Sequence, residues 1–258
     1  MIWEVGGSDH FLVNELADRL APAYLERLKC GIDAAATNEL VYVAQRGSTA
    51  EYGFSEFAFD VDFICVYTLM NDVDKQQIEK TISDLVGQCG VRLPIDVAWL
   101  SMEQVRYSVP TIHATAFHCA SASIWSNKYV RLQKNEVPIT SAMLRAWQAE
   151  LIESVQRNIA RPREQHDILR YGRWLIKRYL RVMALTILTS KSKFSRSLPT
   201  ILSLIQLYSP SQYERATTAF ELIKQTDFRS CDLDYLEQTL WDAHATLEHC
   251  LYMREHES

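Results

Sequence analysis

Two aspartates interrupt an apolar segment in the first third of the chain. Asp60 and Asp62 belong to the stretch FAFDVDFICV, whose aromatic and β-branched residues are typical of a buried strand. Alternate side chains of a strand point to one face, so both carboxylates should project together. Such a pair is often solvated at a strand end. If it is buried, a divalent metal such as Mg²⁺ would offset the repulsion and leave positions for phosphate oxygens.

A Gly-Ser pair and a third carboxylate add to this pattern. Gly47 and Ser48 follow the apolar segment 39–45; glycine lets the backbone approach a phosphate, and a serine hydroxyl can bind it. Asp96 lies in another apolar segment, LPIDVAW. Three carboxylates on adjacent strands beside a Gly-Ser turn suit metal-assisted phosphoryl or nucleotidyl transfer. We expect Asp96 to complete the metal site or to deprotonate the attacking hydroxyl.

The elements that must position these residues read as strand, turn, strand, helix and strand. Apolar patterns predict strands at 39–45, 57–69 and 91–101. They predict a helix over 72–89, capped by Asn71 or Asp72, and helical spacing over 10–29 that Pro22 kinks or ends. Beyond Pro138 the patterns predict only helices, at 141–160, 166–190, 197–208, 211–226 and 232–256. The expected fold class is therefore α+β, with a mixed sheet and flanking helices in domain 1–137 and a helical bundle in domain 138–258.

Charge is divided unevenly between these halves. Residues 1–139 carry 11 Lys and Arg against 18 Asp and Glu, whereas residues 140–258 carry 16 against 14. In the predicted helix 166–190, one stripe holds Arg170, Arg173, Trp174, Lys177 and Arg181. An acidic half and a basic stripe predict a cleft for a polyanion and its metal, with Trp174 suited to stack on a base or sugar. A solvated basic surface is the alternative.

The succession GSTA, DVD and ID resembles the nucleotidyltransferase superfamily of the DNA polymerase β type. The matching residues are Gly47, Ser48, Ala50, Asp60, Asp62 and Asp96, within residues 38–100. The resemblance implies that the three aspartates bind two Mg²⁺ ions, that Gly47 and Ser48 hold terminal phosphates, and that ATP or another nucleoside triphosphate is the substrate. Glu51 and Phe59 stand where small members of the family carry Arg and Ser.

The helical half is similar to that of aminoglycoside adenylyltransferases. Those enzymes follow such a helix with a turn whose Ser and Lys reach the phosphates, and here SKSKFSRSL places Ser195 and Arg196 there. The resemblance implies that Ser195 and Arg196 reach the nucleotide phosphates. We expect Arg196, with Lys177 and Arg181 of the basic stripe, to stabilise the leaving pyrophosphate. The expected acceptor is a hydroxyl of a small molecule. RNA, a protein side chain, or a non-catalytic nucleotide-binding role on the same fold are the alternatives.

Other residue patterns exclude several classes of protein. Six cysteines without a C-x-x-C pair predict reduced thiols in a cytoplasmic protein. The sequence shows no signal-peptide pattern, and its longest apolar run, 182–189, is too short to span a bilayer. Histidine pairs spaced five apart do not suit a metal site, so we expect structural or surface histidines. Arg161 and His166 weakly resemble the R-x(4–6)-H signature of HEPN-type ribonucleases, but Pro162 opposes the helix that this signature needs.

Overall fold

A computed structural model describes residues 3–4, 10–11, 14–15, 20–52, 60–106, 111–130, 132, 137–161, 167–191, 193–194, 198–224 and 227–256. The chain forms two compact units. One comprises Phe11–Val137, and the other comprises Pro138–Ser258 together with Met1–His10. The roles predicted for domains 1–137 and 138–258 remain predictions.

The secondary structure follows the predicted α+β class, which is confirmed. The strands are β1 (Trp3–Glu4), β2 (His10–Phe11), β3 (Asn14–Glu15), β4 (Leu40–Arg46), β5 (Val61–Tyr67), β6 (Ile95–Ser101), β7 (Ala120–Ser126), β8 (Val137–Pro138) and β9 (Lys193–Phe194). The helices are α1 (Pro22–Ala35), α2 (Gly47–Tyr52), α3 (Asp72–Gln88), α4 (Met102–Arg106), α5 (Ile112–Cys119), α6 (Ser141–Ile159), α7 (Ile168–Lys191), α8 (Leu198–Tyr208), α9 (Tyr213–Glu221) and α10 (Ser230–His256).

The first unit is built around a mixed sheet with the strand order β3-β7-β4-β5-β6. Strand β4 is antiparallel to β5 and β7, whereas β5 is parallel to β6 and β3 is parallel to β7. Helix α3 connects β5 to β6, because a parallel pair needs a crossover segment rather than a hairpin. Strand β7 was not predicted, since its first residues, ASAS, have little strand propensity.

Helices α1 and α3 contact each other, and each buries one apolar stripe. The buried positions recur at helical spacing, at Tyr24, Leu28 and Ile32 in α1 and at Ile78, Ile82 and Val86 in α3. Residues spaced by four lie on one helix face, so each helix buries one side and exposes the other. The Asn71 side chain accepts a hydrogen bond from Asp74 N at 2.9 Å, which makes Asn71 the N-cap of α3.

Helix α1 begins later than the Leu and Ala spacing over 10–29 indicated. It starts at Pro22, and the preceding residues His10–Phe11 and Asn14–Glu15 are short strands. Proline suits the first helical turn because it lacks the N–H that has no partner there, and its φ is already helical. Pro22 therefore begins the helix, and the expectation that it kinks or ends one is wrong.

The second unit is mainly helical. Helix α7 packs along α10, and α6 and α8 also contact this pair. Six apolar side chains of α7 are buried, namely Leu175, Ile176, Tyr179, Leu180, Val182 and Met183. The two-residue strand β9, which pairs with β1, is an unpredicted addition. Over the described residues, no helix combines the length and apolar character needed to cross a membrane.

Candidate active site

Two of the predicted carboxylates lie side by side in the sheet. Asp62 on β5 and Asp96 on β6 are register partners, so they project from one face of neighbouring strands about 4.8 Å apart. Asp60 directly precedes β5, and the pairing of the two strands begins there with a 2.8 Å hydrogen bond from Val61 N to Pro94 O. Asp96 is exposed, and Asp60 and Asp62 are partly exposed. The structure therefore gathers the three aspartates at one end of a parallel strand pair.

Gly47 brings the Gly-Ser segment to this carboxylate pair. It follows β4 directly, opens the short helix α2, and has a φ of +77°, a backbone conformation that side chains disfavour. A Cβ added to Gly47 would lie 2.2 Å from Asp62 Oδ2. Glycine is thus required both by its backbone angle and by the close approach of Asp62. The side chain of Ser48 lies outside the described residues.

Arg46 is a member of this site that sequence reasoning missed. Its side chain is buried, it is the register partner of Asp62 across β4 and β5, and its Nη2 lies 3.8 Å from Asp62 Oδ1. The available signal was an arginine that ends the apolar strand LVYVAQR immediately before Gly47. The site consequently contains a buried cation as well as three carboxylates.

The chemistry of the donor set fits Mg²⁺. Among the residues that the structure describes, no group of three His, Cys, Asp or Glu side chains is arranged to hold a metal ion. Mg²⁺, however, is usually bound through one or two carboxylates and completes its octahedral shell with water and substrate phosphate oxygens. The aligned Asp62 and Asp96, with Asp60 two residues from Asp62, match that requirement when a triphosphate supplies further oxygens.

Two buried hydrogen bonds link α1 to the residues on either side of Gly47, and the sequence did not indicate them. The Tyr24 hydroxyl of α1 donates to Gln45 Oε1 at 2.9 Å, and Gln45 Nε2 donates to Thr49 Oγ1 at 3.0 Å. Gln45 and Thr49 are fully buried. Burial, together with the nearby Cys89, raises the pKa of Tyr24 far above its usual value, so the hydroxyl remains a donor. These two hydrogen bonds connect α1 to Gln45, which precedes Gly47, and to Thr49, which follows it.

The basic stripe of α7 is present in the second unit. Arg170 is exposed, whereas Lys177 and Arg181 are partly buried, and Arg173 Nε donates to Ile223 O at 3.3 Å. The Trp174 ring stacks on Tyr171 with centroids 5.8 Å apart, and Arg178 lies 5.4 Å from the Trp174 centroid. Trp174 is therefore already in contact with an aromatic ring and a guanidinium group. The predicted phosphate-binding residues Ser195 and Arg196 lie outside the described residues.

The histidines expected to be structural include two buried ones. His118 Nε2 lies 3.0 Å from Val105 O in the first unit. His244 in α10 is 4% exposed, beside Trp241, and burial with the nearby charge of Arg178 lowers its pKa to about 4. His166, part of the HEPN-like pattern, lies outside the described residues.

Comparison with known proteins identifies a relative at the level of fold. No protein-family model matches the chain, and no curated protein sequence matches it. A crystal structure of spectinomycin adenyltransferase AAD(9) from Enterococcus faecialis, determined with ATP and spectinomycin, superimposes with a TM-score of 0.61. The alignment covers 88% of this chain and 98% of that one at 13% identity. The chain thus has a nucleotidyltransferase fold, which confirms the predicted resemblance at fold level.

Proposed function

We propose that the protein is a Mg²⁺-dependent nucleotidyltransferase that moves AMP from ATP to a hydroxyl of a small molecule and releases pyrophosphate. The observation that carries this proposal is the register pairing of Asp62 with Asp96 beside the positive-φ Gly47. A fold shared with an adenyltransferase solved with ATP supports it.

In this proposal the aspartates divide two tasks. Asp60 and Asp62 hold metal, and Asp96 acts as a third ligand or as the general base. Two bound Mg²⁺ ions would neutralise charge on the triphosphate and on the attacking oxygen. The acceptor hydroxyl attacks the α-phosphorus, the bond from that phosphorus to the α,β-bridging oxygen breaks, and pyrophosphate leaves with the electron pair. Asp96, exposed at the end of the strand pair, receives the hydroxyl proton directly or through water.

Two groups of residues are proposed to bind the phosphates. The Gly47–Ser48 segment at the start of α2 binds the terminal phosphates, because a glycine without Cβ allows backbone N–H groups to approach them. In the helical unit, Ser195 is proposed to bind a nucleotide phosphate, and Lys177, Arg181 and Arg196 to stabilise the pyrophosphate as its negative charge develops. The half-buried positions of Lys177 and Arg181 are compatible with that role, since part of each cation remains accessible.

The acceptor is proposed to be a hydroxylated small molecule. The structural neighbour was solved with spectinomycin, which supports a small acceptor over the RNA or protein side chain that the sequence left open. The basic stripe of α7 is compatible with either kind of acceptor. RNA binding would weaken steeply as salt concentration rises, whereas transfer to a small neutral or cationic molecule would not require tight RNA binding.

A transfer assay tests the proposal. The protein is incubated with each labelled nucleoside triphosphate, Mg²⁺ and a panel of hydroxylated small molecules, and the products are identified by mass spectrometry. We expect a nucleoside monophosphate adduct on at least one acceptor, release of pyrophosphate, and loss of both with the Asp60→Asn variant. Full activity of that folded variant would refute the assignment of the metal-binding pair.

Calorimetric titration distinguishes an enzyme from a non-catalytic binding protein. ATP and the other triphosphates are titrated with and without Mg²⁺. An enzyme of this kind should bind at least one triphosphate only when metal is present, and should then produce an adduct. Metal-dependent binding without an adduct on any acceptor, including RNA, would favour the non-catalytic alternative.

A further inference from the structure

Arg46 is a buried cation placed against one of the proposed metal ligands. Only 3% of the residue is exposed, and its Nη2 approaches Asp62 Oδ1 at 3.8 Å. The two residues are direct cross-strand partners on β4 and β5, so the strand pairing fixes the distance between their Cα atoms. A buried guanidinium is costly unless an anion lies beside it, and Asp62 is such an anion.

The Asp62 carboxylate is held between this guanidinium and the backbone of Gly47. Its Oδ1 faces Arg46, and its Oδ2 lies where a Cβ of residue 47 would be, 2.2 Å from that position. The side chain is 13% exposed, so little room remains for other orientations. Arg46 and Gly47 therefore each approach one oxygen of Asp62.

The contact between Arg46 and Asp62 is also loose enough to be exchanged. At 3.8 Å, it is about 1 Å longer than a charge-assisted N–H···O hydrogen bond. The Nε atom of Arg46 is buried and has no hydrogen-bond partner within the described part of the chain. The guanidinium is therefore held mainly by charge and can shift without losing a direct hydrogen bond between Nη2 and Oδ1.

We propose that Arg46 is a positioning residue that acts as an internal counter-cation for Asp62. It holds this carboxylate in place before a divalent metal and the nucleotide arrive, and it competes with that metal for Asp62 Oδ1. This inference rests on the proposed function, because it assigns Asp62 to a metal. It places one positive charge beside Asp62 at the end of the β5–β6 pair where the three carboxylates lie.

Metal binding without nucleotide tests the competition. Mn²⁺ is titrated into the protein, and its binding is followed by electron paramagnetic resonance. Arg46→Met keeps an unbranched apolar stem but removes the guanidinium and its charge, so we expect the Mn²⁺ affinity of the variant to rise roughly tenfold. Tenfold is the lower end of the effect that a neighbouring opposite charge has on the proton affinity of a carboxylate. Arg46→Lys keeps the charge and should stay close to wild type. The control is Arg106→Met, an exposed arginine in α4, which should change nothing.

The metal-free protein provides a second readout. Thermal unfolding in EDTA should show Arg46→Met destabilised relative to wild type, with the loss recovered on adding Mn²⁺. An equal or weaker Mn²⁺ affinity of folded Arg46→Met would overturn the proposal.

Nuclear magnetic resonance of the wild-type protein keeps the test decisive if Arg46→Met does not fold. The buried Nε–H of Arg46, assigned by its loss in Arg46→Lys, should shift when Mg²⁺ is added, and an unchanged signal at saturating Mg²⁺ would overturn the proposal. The transfer assay is independent of both measurements. Altered metal affinity without transfer to any acceptor would reject the proposed function alone, and transfer with unaltered metal affinity would reject the role of Arg46 alone.

Discussion

Asp62 and Asp96 stand opposite each other on parallel strands although 33 other residues separate them in the sequence. The crossover through α3 turns two distant positions into neighbours about one strand spacing apart. Arg46 continues this row on β4, and Ser121 continues it on β7. A single register row of the sheet therefore carries polar side chains on four successive strands, next to the Gly47 turn.

Replacing either carboxylate of this pair should abolish most nucleotidyl transfer. Asp62→Asn and Asp96→Asn keep the shape but remove the charge that a divalent ion or a proton requires. We expect transfer to fall at least about 100-fold, equivalent to about 2.7 kcal/mol of transition-state stabilisation. The initial rate of adduct formation measures the effect. Asp84→Asn, an exposed carboxylate on α3, is the control and should keep the wild-type rate.

Gly47→Ala should damage the site more than an equivalent substitution elsewhere. The alanine Cβ would meet Asp62 Oδ2 at 2.2 Å, in addition to the strain of a positive φ, which costs about 1 kcal/mol or more. We expect loss of stability in urea unfolding together with loss of transfer, because the carboxylate must move.

Gly90→Ala is the matched control for Gly47→Ala. Gly90 has a φ of +80°, nearly the same as Gly47, but a Cβ added there meets nothing within 4 Å. Gly90→Ala should therefore show the backbone strain and retain transfer activity. Equal activity of the two variants would mean that the close approach of Asp62 has no role.

Tyr24→Phe should loosen the support beneath the Gly47 turn. The change removes the donor to Gln45 Oε1 and leaves a buried amide oxygen without it, which costs about 1–3 kcal/mol. We expect the midpoint of urea unfolding to fall and transfer to weaken as Thr49 becomes less well held. Tyr129→Phe removes a hydroxyl from a side chain that is 91% exposed. This control should leave the midpoint unchanged, and a similar fall in both variants would contradict the role of these buried hydrogen bonds.

His244 should make the helical unit sensitive to acid. Burial first, and the nearby Arg178 second, lower its pKa to about 4, below the value of about 6.5 in an unfolded chain. The neutral ring is compatible with the fold above pH 6.5, and stability falls as pH drops from 6.5 towards 4, because the unfolded state binds the proton more tightly. The expected loss from this residue is about 2 kcal/mol at pH 5.

A leucine variant isolates this contribution. His244→Leu cannot bind the proton, so the free energy of unfolding of wild type minus that of the variant should decrease between pH 8 and pH 5. His249→Leu changes an exposed histidine on the same helix α10 and should leave the pH profile parallel to wild type. A constant difference between wild type and His244→Leu would show that His244 is accessible to protons in the folded state.

The sequence by itself determined the α+β class and most of the candidate site. The strand around Asp62, the helix over 72–89 and the burial of one side of α7 follow from apolar spacing, a local property that each segment carries alone. The prediction for Pro22 was wrong because a proline can either begin a helix or kink or end one. Short strands precede Pro22, so it begins α1. Strand β7 was not predicted because its small residues, such as Ala120, have little intrinsic strand propensity. They are in a strand because β7 pairs with β3 and β4.

Only the tertiary structure decided which polar groups meet. Arg46 looked like the end of a strand until β4 paired with β5 and put its guanidinium against Asp62. Tyr24 and Gln45 are 21 residues apart, and no spacing rule connects a helix to a strand in that way. Such contacts depend on register and on the packing of whole elements, which arise from many weak interactions at once. The carboxylates and the glycine could therefore be identified from the sequence. The contact of Arg46 with Asp62 and the buried hydrogen bonds of Gln45 were visible only in the folded structure.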